Sequence, residues 1–219
     1  LAWARLSRAD AFLYFRHGDT TAARREAAKR ALDTAQNLQP NSPETQLALG
    51  YYQYHVLRDY ALAKTTFKQI SKMLLSSSEV SSALGAVSRR EGHWDESVAY
   101  FEQALSLDPR NPEILLEARW TYAVLRQFPA AENLYDRALD ILPNEASLIA
   151  LKASIYQAQG NLHEAAKLLA PVNADTNSDM AIRIKLTQWR LERDLTEATQ
   201  WVQARQDRLR LFSGIDKGT

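Results

Sequence analysis

Large and small apolar residues recur along this chain at a nearly constant interval of 34 residues. Tyr60, Trp94, Phe128 and Leu162 are separated by that interval, and Leu195 follows after 33. Three residues on lies a small column, Ala63, Ser97, Ala131, Ala165 and Ala198. Beyond it come Phe67, Phe101, Tyr135, Leu169 and Val202, then Ile70, Ala104, Ala138 and Val172. Spacings of three and four put these columns on one face of a helix. The small residues let a neighbouring helix approach, and the large ones fill the space beside it. Upstream of each column a second amphipathic helix is predicted, over roughly 45–57, 79–91, 113–125, 147–159 and 180–192. Each period therefore reads as helix, short turn, helix, short turn.

The few breakers keep the same beat. Pro109 and Pro143 are 34 residues apart, Pro40 and Leu75 hold the corresponding earlier positions, and Gly92 and Gly160 are two periods apart. A fixed period of this size is the mark of a solenoid. Asp95, Glu96, Asn111 and Asn161 supply acceptors or negative charge at helix starts, and Pro112 and Pro129 suit first-turn positions. Gly50 to Tyr60 is one residue longer than Gly85 to Trp94, which predicts an insertion at that inter-helix turn. Pro171 should end its helix early and leave 172–179 as a looser joint, read as a bend or hinge. The Tyr60, Trp94 and Phe128 column is expected in the core.

Leu84-Gly85, Gly92, Trp94, Ser97, Phe101 and Ala104, closed by Ser-Leu-Asp-Pro-Arg-Asn-Pro at 106–112, resemble the tetratricopeptide repeat. Repeats are counted at 43–77, 78–111, 112–145 and 146–178. A divergent N-terminal helix pair at 1–42 precedes them, a last repeat or cap at 179–212 follows, and 213–219 reads as a flexible tail. The resemblance implies an all-α fold: an α-solenoid of stacked antiparallel helix pairs forming a right-handed superhelix, one continuous domain whose first helices line a concave groove. Because no single repeat buries its apolar face alone, each is stabilised by its neighbours. Polar Arg205, Asp207, Arg208 and Arg210 beside Trp201, Leu209 and Leu211 suit a cap packed on one side.

Composition narrows the chemistry. The chain has 219 residues and no cysteine, which excludes disulfide scaffolds, Cys-ligated metal sites and thiol nucleophiles. Lys+Arg 27 against Asp+Glu 26 gives a net charge of +1, so no global field draws in nucleic acid or anionic lipid. The N-terminal pair carries Arg5, Arg8, Arg16, Arg24, Arg25, Lys29 and Arg30, but Asp10, Asp19, Glu26 and Asp33 are interleaved with them. No nucleic-acid partner is expected, and no direct membrane insertion, since no apolar run approaches the roughly 20 residues a bilayer needs. The chain opens at Leu1 and reads as a piece of a longer protein or a processed product. A soluble, cytoplasmic setting is expected, with the periplasmic part of a membrane-tethered protein as the alternative.

Function then rests on groove side chains. By repeat phase these are Tyr51, His55, Ser82, Ala86, Arg89, Leu116, Trp120, Ala123, Ala150, Ser154, Gln157, Arg183, Thr187 and Arg190. The family's clamp for a C-terminal carboxylate uses Lys and Asn, and neither occurs in this set. Aromatic Tyr51 and Trp120 with cationic Arg89, Arg183 and Arg190 point to a peptide or protein partner of acidic and apolar character. Trp120 reads equally as a ligand contact or as packing on the inner curve. Arg89-Arg90 and Arg24-Arg25 also read as solvated faces. His17, His55, His93 and His163 are too scattered for a metal site. No phosphate-binding glycine loop or nucleophile elbow occurs, so no cofactor and no catalysis are expected. The expected function is a non-catalytic interaction scaffold. The alternative is a regulatory region of a larger bacterial signalling protein, because 49–67 and 84–112 resemble repeat regions attached to bacterial adenylate cyclases, protein kinases and winged-helix regulators, with a catalytic or DNA-binding domain upstream.

Overall fold

The computed structural model describes residues 1–16, 18–173 and 175–213, with side chains placed as far as Gln206. His17, the 214–219 tail and the side chains of Asp207, Arg208, Leu209, Arg210 and Leu211 lie outside the described residues. All regular structure among the described residues is helical, and it falls into two compact units, Leu1–Thr121 and Tyr122–Thr219. The first unit contains α1 (Ala2–Phe15) and α2 (Ala22–Leu38), α3 (Pro43–Tyr52) and α4 (Tyr60–Met73), α5 (Ser78–Arg90) and α6 (Trp94–Leu107), and most of α7 (Pro112–Val124). The second holds the end of α7, then α8 (Phe128–Leu139), α9 (Ala146–Gln159), α10 (Leu162–Leu169), α11 (Asp179–Glu192) and α12 (Leu195–Ser213). The second helices α4, α6, α8, α10 and α12 begin at Tyr60, Trp94, Phe128, Leu162 and Leu195, the column the 34-residue interval singles out.

Local chemistry sets these boundaries. Thr21, Ser42, Asp59, Ser77, Glu145, Asn161 and Ser178 each accept a hydrogen bond from a first-turn N–H of the helix that follows. Asn111 does the same for Glu113 and Ile114. In the five pairs from α3–α4 to α11–α12 the chain turns between the helices through one left-handed residue, and among the described residues these are Arg58, Gly92, Arg126, Gly160 and Arg193. Glycine adopts that conformation freely, whereas a side chain costs about 1 kcal/mol there. Arg193→Gly is therefore expected to stabilise the protein by about 0.5–1 kcal/mol. Arg126→Gly should be near neutral, because the Arg126 guanidinium lies 5.3 Å from the Phe128 ring centroid and that contact would be lost. Thermal unfolding of the two variants side by side checks the difference.

The interior follows the small and large columns. Ala63, Phe67, Ser97, Phe101, Ala104, Ala131, Ala138, Ala165 and Leu169 are fully buried, and Tyr135 and Ile70 nearly so. Ser97 satisfies its hydroxyl by donating to the Gly85 carbonyl at 2.9 Å. The leading column differs from expectation: Tyr60, Trp94, Phe128 and Leu162 are half-buried and Leu195 is 70% exposed. As first residues of their helices they cover the rim of each pair, and the core begins one turn later. The one-residue insertion between Gly50 and Tyr60 is absorbed as a π-helical turn over Gln53–Leu57, ending at left-handed Arg58. Helix α10 stops at Leu169, before Pro171. The segment after it is tied down by buried Val172 and by Arg205, which donates to the Thr176 carbonyl at 2.8 Å. Among the described residues no helix is long and apolar enough to cross a membrane.

Candidate interaction surface

In the first unit the predicted groove residues Tyr51 and His55 meet α1, which α5 and α7 reach through Glu79, Arg90 and Glu117. The π-helical turn brings Tyr54 and His55 against α1, where His55 stacks on Phe15 at 4.6 Å between ring centroids and meets the edge of Phe12 at 6.0 Å. Tyr51 and Tyr54 complete the ring cluster at 5.4 and 4.7 Å from His55. His55 is only 7% exposed, and burial pushes its pKa down to about 3. Burial likewise pushes the Tyr51 phenol up to about 12.

Basic side chains cover these rings. Arg8 lies 4.9 Å from the Tyr51 centroid, Arg16 5.3 Å from Phe12 and Arg90 5.3 Å from Phe15. Arg8 pairs with Glu79 at the start of α5. Arg89 is not solvated: it is buried, donating to Glu117 Oε2 at 2.6 Å, to the Glu117 carbonyl at 2.8 Å and to Thr121 Oγ1 at 3.0 Å. Arg16 takes the other Glu117 oxygen, Oε1, at 3.0 Å. Burial raises the Glu117 carboxyl, but the Arg89 and Arg16 guanidiniums more than offset this and hold it below the usual carboxylate range.

The remaining predicted residues have simpler settings. Ser82 and Leu116 are half-buried, and Trp120 on α7 is 49% exposed. In the second unit Ala150 is fully buried. Gln157 donates to Gln188 Oε1 at 2.9 Å and to the Ile184 carbonyl at 3.2 Å, which commits it to joining α9 to α11. Arg183 and Arg190 are exposed, two turns apart on α11, and no carboxylate pairs with either among the described residues. Sequence reasoning missed Glu117, Phe12, Phe15, Tyr54 and Arg90. The available signal was an acid beside the assigned position Leu116, whereas α1 belongs to the divergent pair to which repeat phase does not apply. Among the described residues no group of three His, Asp or Glu is placed to hold a metal ion.

The His55 environment carries a pH dependence. In the unfolded chain His55 takes a proton below about pH 6.5, while in the folded protein it stays neutral down to about 3. The unfolded state binds more protons across that window, so stability is full above it and falls as pH drops through it, by about 2 kcal/mol at pH 5. His55→Phe should flatten the unfolding free energy between pH 7 and 5, and an unchanged slope in urea titrations would refute this assignment.

A sequence model of the tetratricopeptide repeat family matches residues 88–155. Comparison with curated proteins finds no match. Among solved structures, the chain is similar to a tetratricopeptide repeat protein from Parabacteroides merdae ATCC 43184, at 13% identity and a TM-score of 0.65 over 93% of this chain and 79% of that one. PilF of Pseudomonas aeruginosa aligns at 13% identity and a TM-score of 0.66 over 91% of this chain and 89% of its own. A chain of the Naa15/Naa10 complex bound to HypK-THB aligns at 17% identity and a TM-score of 0.52, over 93% of this chain and 31% of that one. These likenesses show the fold: an α-solenoid of the tetratricopeptide-repeat type.

Proposed function

We propose that this chain is a non-catalytic scaffold that binds a peptide or protein segment at exposed side chains of its first helices. The fold is one generally used to hold protein partners, and the Naa15/Naa10 structure is itself a complex with HypK-THB. The observation that carries the reading is Trp120, half exposed on α7 with the Arg119 guanidinium 5.9 Å from its ring centroid, in the same unit as a second exposed ring, Phe12. Arg16 links α1 to α7: its guanidinium lies over Phe12 and bonds Glu117, three residues before Trp120. A large aromatic side chain held on a rigid helix and left uncovered is the residue type that most often dominates binding energy. The partner is read as acidic and apolar, with Arg183 and Arg190 supplying unpaired charge on α11.

Affinity capture of binding proteins with the 219-residue chain, repeated with Trp120→Ala and with Arg183→Ala/Arg190→Ala, tests this. Trp120→Ala is expected to weaken capture by about thirtyfold, the scale of a hot-spot residue, with the thermal midpoint unchanged. Retention of the same partner at the same affinity by both variants would refute the proposal.

A further inference from the structure

We infer that the first unit carries a specific carboxylate-docking position at Arg90, built by the π-helical turn and meant for an Asp or Glu side chain of a partner segment with an apolar neighbour. The inference rests on the scaffold reading and names the residue that reads the partner.

Three observations converge there. The first is charge: both Glu117 oxygens are taken, by Arg16 at 3.0 Å and Arg89 at 2.6 Å. Arg90 is exposed and left without an acid among the described residues. Its Nε faces the Tyr54 hydroxyl at 3.5 Å and its plane covers Phe15, so the guanidinium is held in one orientation while its outer nitrogens remain open. A carboxylate matches that planar fork, and Arg89 cannot take this role because it is buried and its two outer nitrogens already donate to Glu117 and Thr121.

The second is an unpartnered polar side chain. His55 Nδ1 is buried with no hydrogen-bond partner in the same cluster, against Phe15, where Arg90 also stacks. Burial keeps the ring neutral, and leaving the buried Nδ1 unmatched costs free energy unless something binds there. The third is the backbone. The inserted residue of this repeat is spent on a π-helical turn, a rare geometry often found at functional positions, and that turn carries both Tyr54 and His55 to the ring cluster. Half-exposed Phe12 supplies an apolar seat beside it.

The test uses the whole chain and short synthetic peptides, each with one Glu next to a Leu or Phe, against a matched pool with Gln in place of Glu. Fluorescence anisotropy is expected to select peptides from the Glu pool, and Arg90→Gln should weaken the selected peptide about tenfold without moving the thermal midpoint. His55→Phe, which keeps the ring packing but removes the nitrogens, should weaken it severalfold. Equal binding of Glu and Gln pools, or an Arg90→Gln chain that binds like the parent, would overturn the inference while leaving the scaffold reading intact. Displacement of the peptide by single-stranded oligouridylate at physiological salt would also overturn it, in favour of a nucleic-acid site. Absence of any peptide binding that depends on Trp120 would remove both readings.

Discussion

Replacing Phe67 by Ala is expected to destabilise the protein by about 3–5 kcal/mol, the range for deleting a fully buried aromatic ring, and Gly50→Ala should cost about 1–3 kcal/mol at the same contact by overpacking. Phe67 is fully buried, and a Cβ built on Gly50 would stand 2.5 Å from its Cε1 and 2.9 Å from its Cδ1 and Cζ. No real Cβ tolerates that distance, and a ring without free space around it cannot retreat. The equivalent pair in the next repeat, Gly85 and Phe101, is looser at 3.0–3.1 Å. There a shift of a few tenths of an ångström suffices, and the better helix propensity of Ala, worth about 1 kcal/mol, offsets it. Gly85→Ala should therefore lie near neutral while Gly50→Ala destabilises. Thermal unfolding followed by circular dichroism separates them. The double variant Gly50→Ala/Phe67→Leu should be less damaging than the sum of its parts, because the smaller side chain makes room for the new methyl. Additive losses would mean that the glycine serves something other than the ring.

That contact also marks what the sequence can and cannot reveal. The 34-residue interval identifies Phe67 and Phe101 as core and places the second-helix starts at the right residues, because packing against a neighbouring repeat imposes the same sizes at the same offsets. The turn residues are less legible. Gly92 and Gly160 announce left-handed turns, but Arg58, Arg126 and Arg193 adopt the same conformation with no glycine to signal it. The insertion after Gly50 is readable as a count, whereas its outcome is not: one extra residue could have lengthened the turn, and here it winds into the helix and redirects His55. Groove phase singles out Tyr51 and His55, among others, and their rings lie 5.4 Å apart in the first unit. It could not foresee that α1 would contribute Phe12, Phe15 and Arg16, since ion pairs between helices distant in sequence leave no periodic trace. Phase assigns Arg89 and not Arg90 to the groove, yet Arg89 is the buried one and Arg90 the exposed one. One residue of rotation on α5 separates a guanidinium enclosed by α7 from one that stays open.

That distinction yields the second large effect. Arg89→Ala is expected to destabilise the protein by about 2–4 kcal/mol, whereas Arg90→Ala should stay within about 0.5 kcal/mol of the parent. Arg89 makes three hydrogen bonds to α7 from a buried position and lies 5.6 Å from the Phe101 ring centroid, so truncation leaves a cavity and takes from Glu117 its buried partner. Glu117 is partly exposed and keeps Arg16, so the loss sits below the upper range for breaking a buried pair. Arg89→Met, which fills the space without the charge, separates the two contributions. It should recover part of the stability, and adding Glu117→Gln should recover more by removing the stranded charge. If Arg89→Met/Glu117→Gln is no more stable than Arg89→Met alone, the carboxylate was not stranded and Arg89 acts through volume only. A reversed ranking, with Arg90→Ala the more damaging, would mean that the two arginines exchange places in solution, and the open guanidinium over Phe15 would then belong to the other residue.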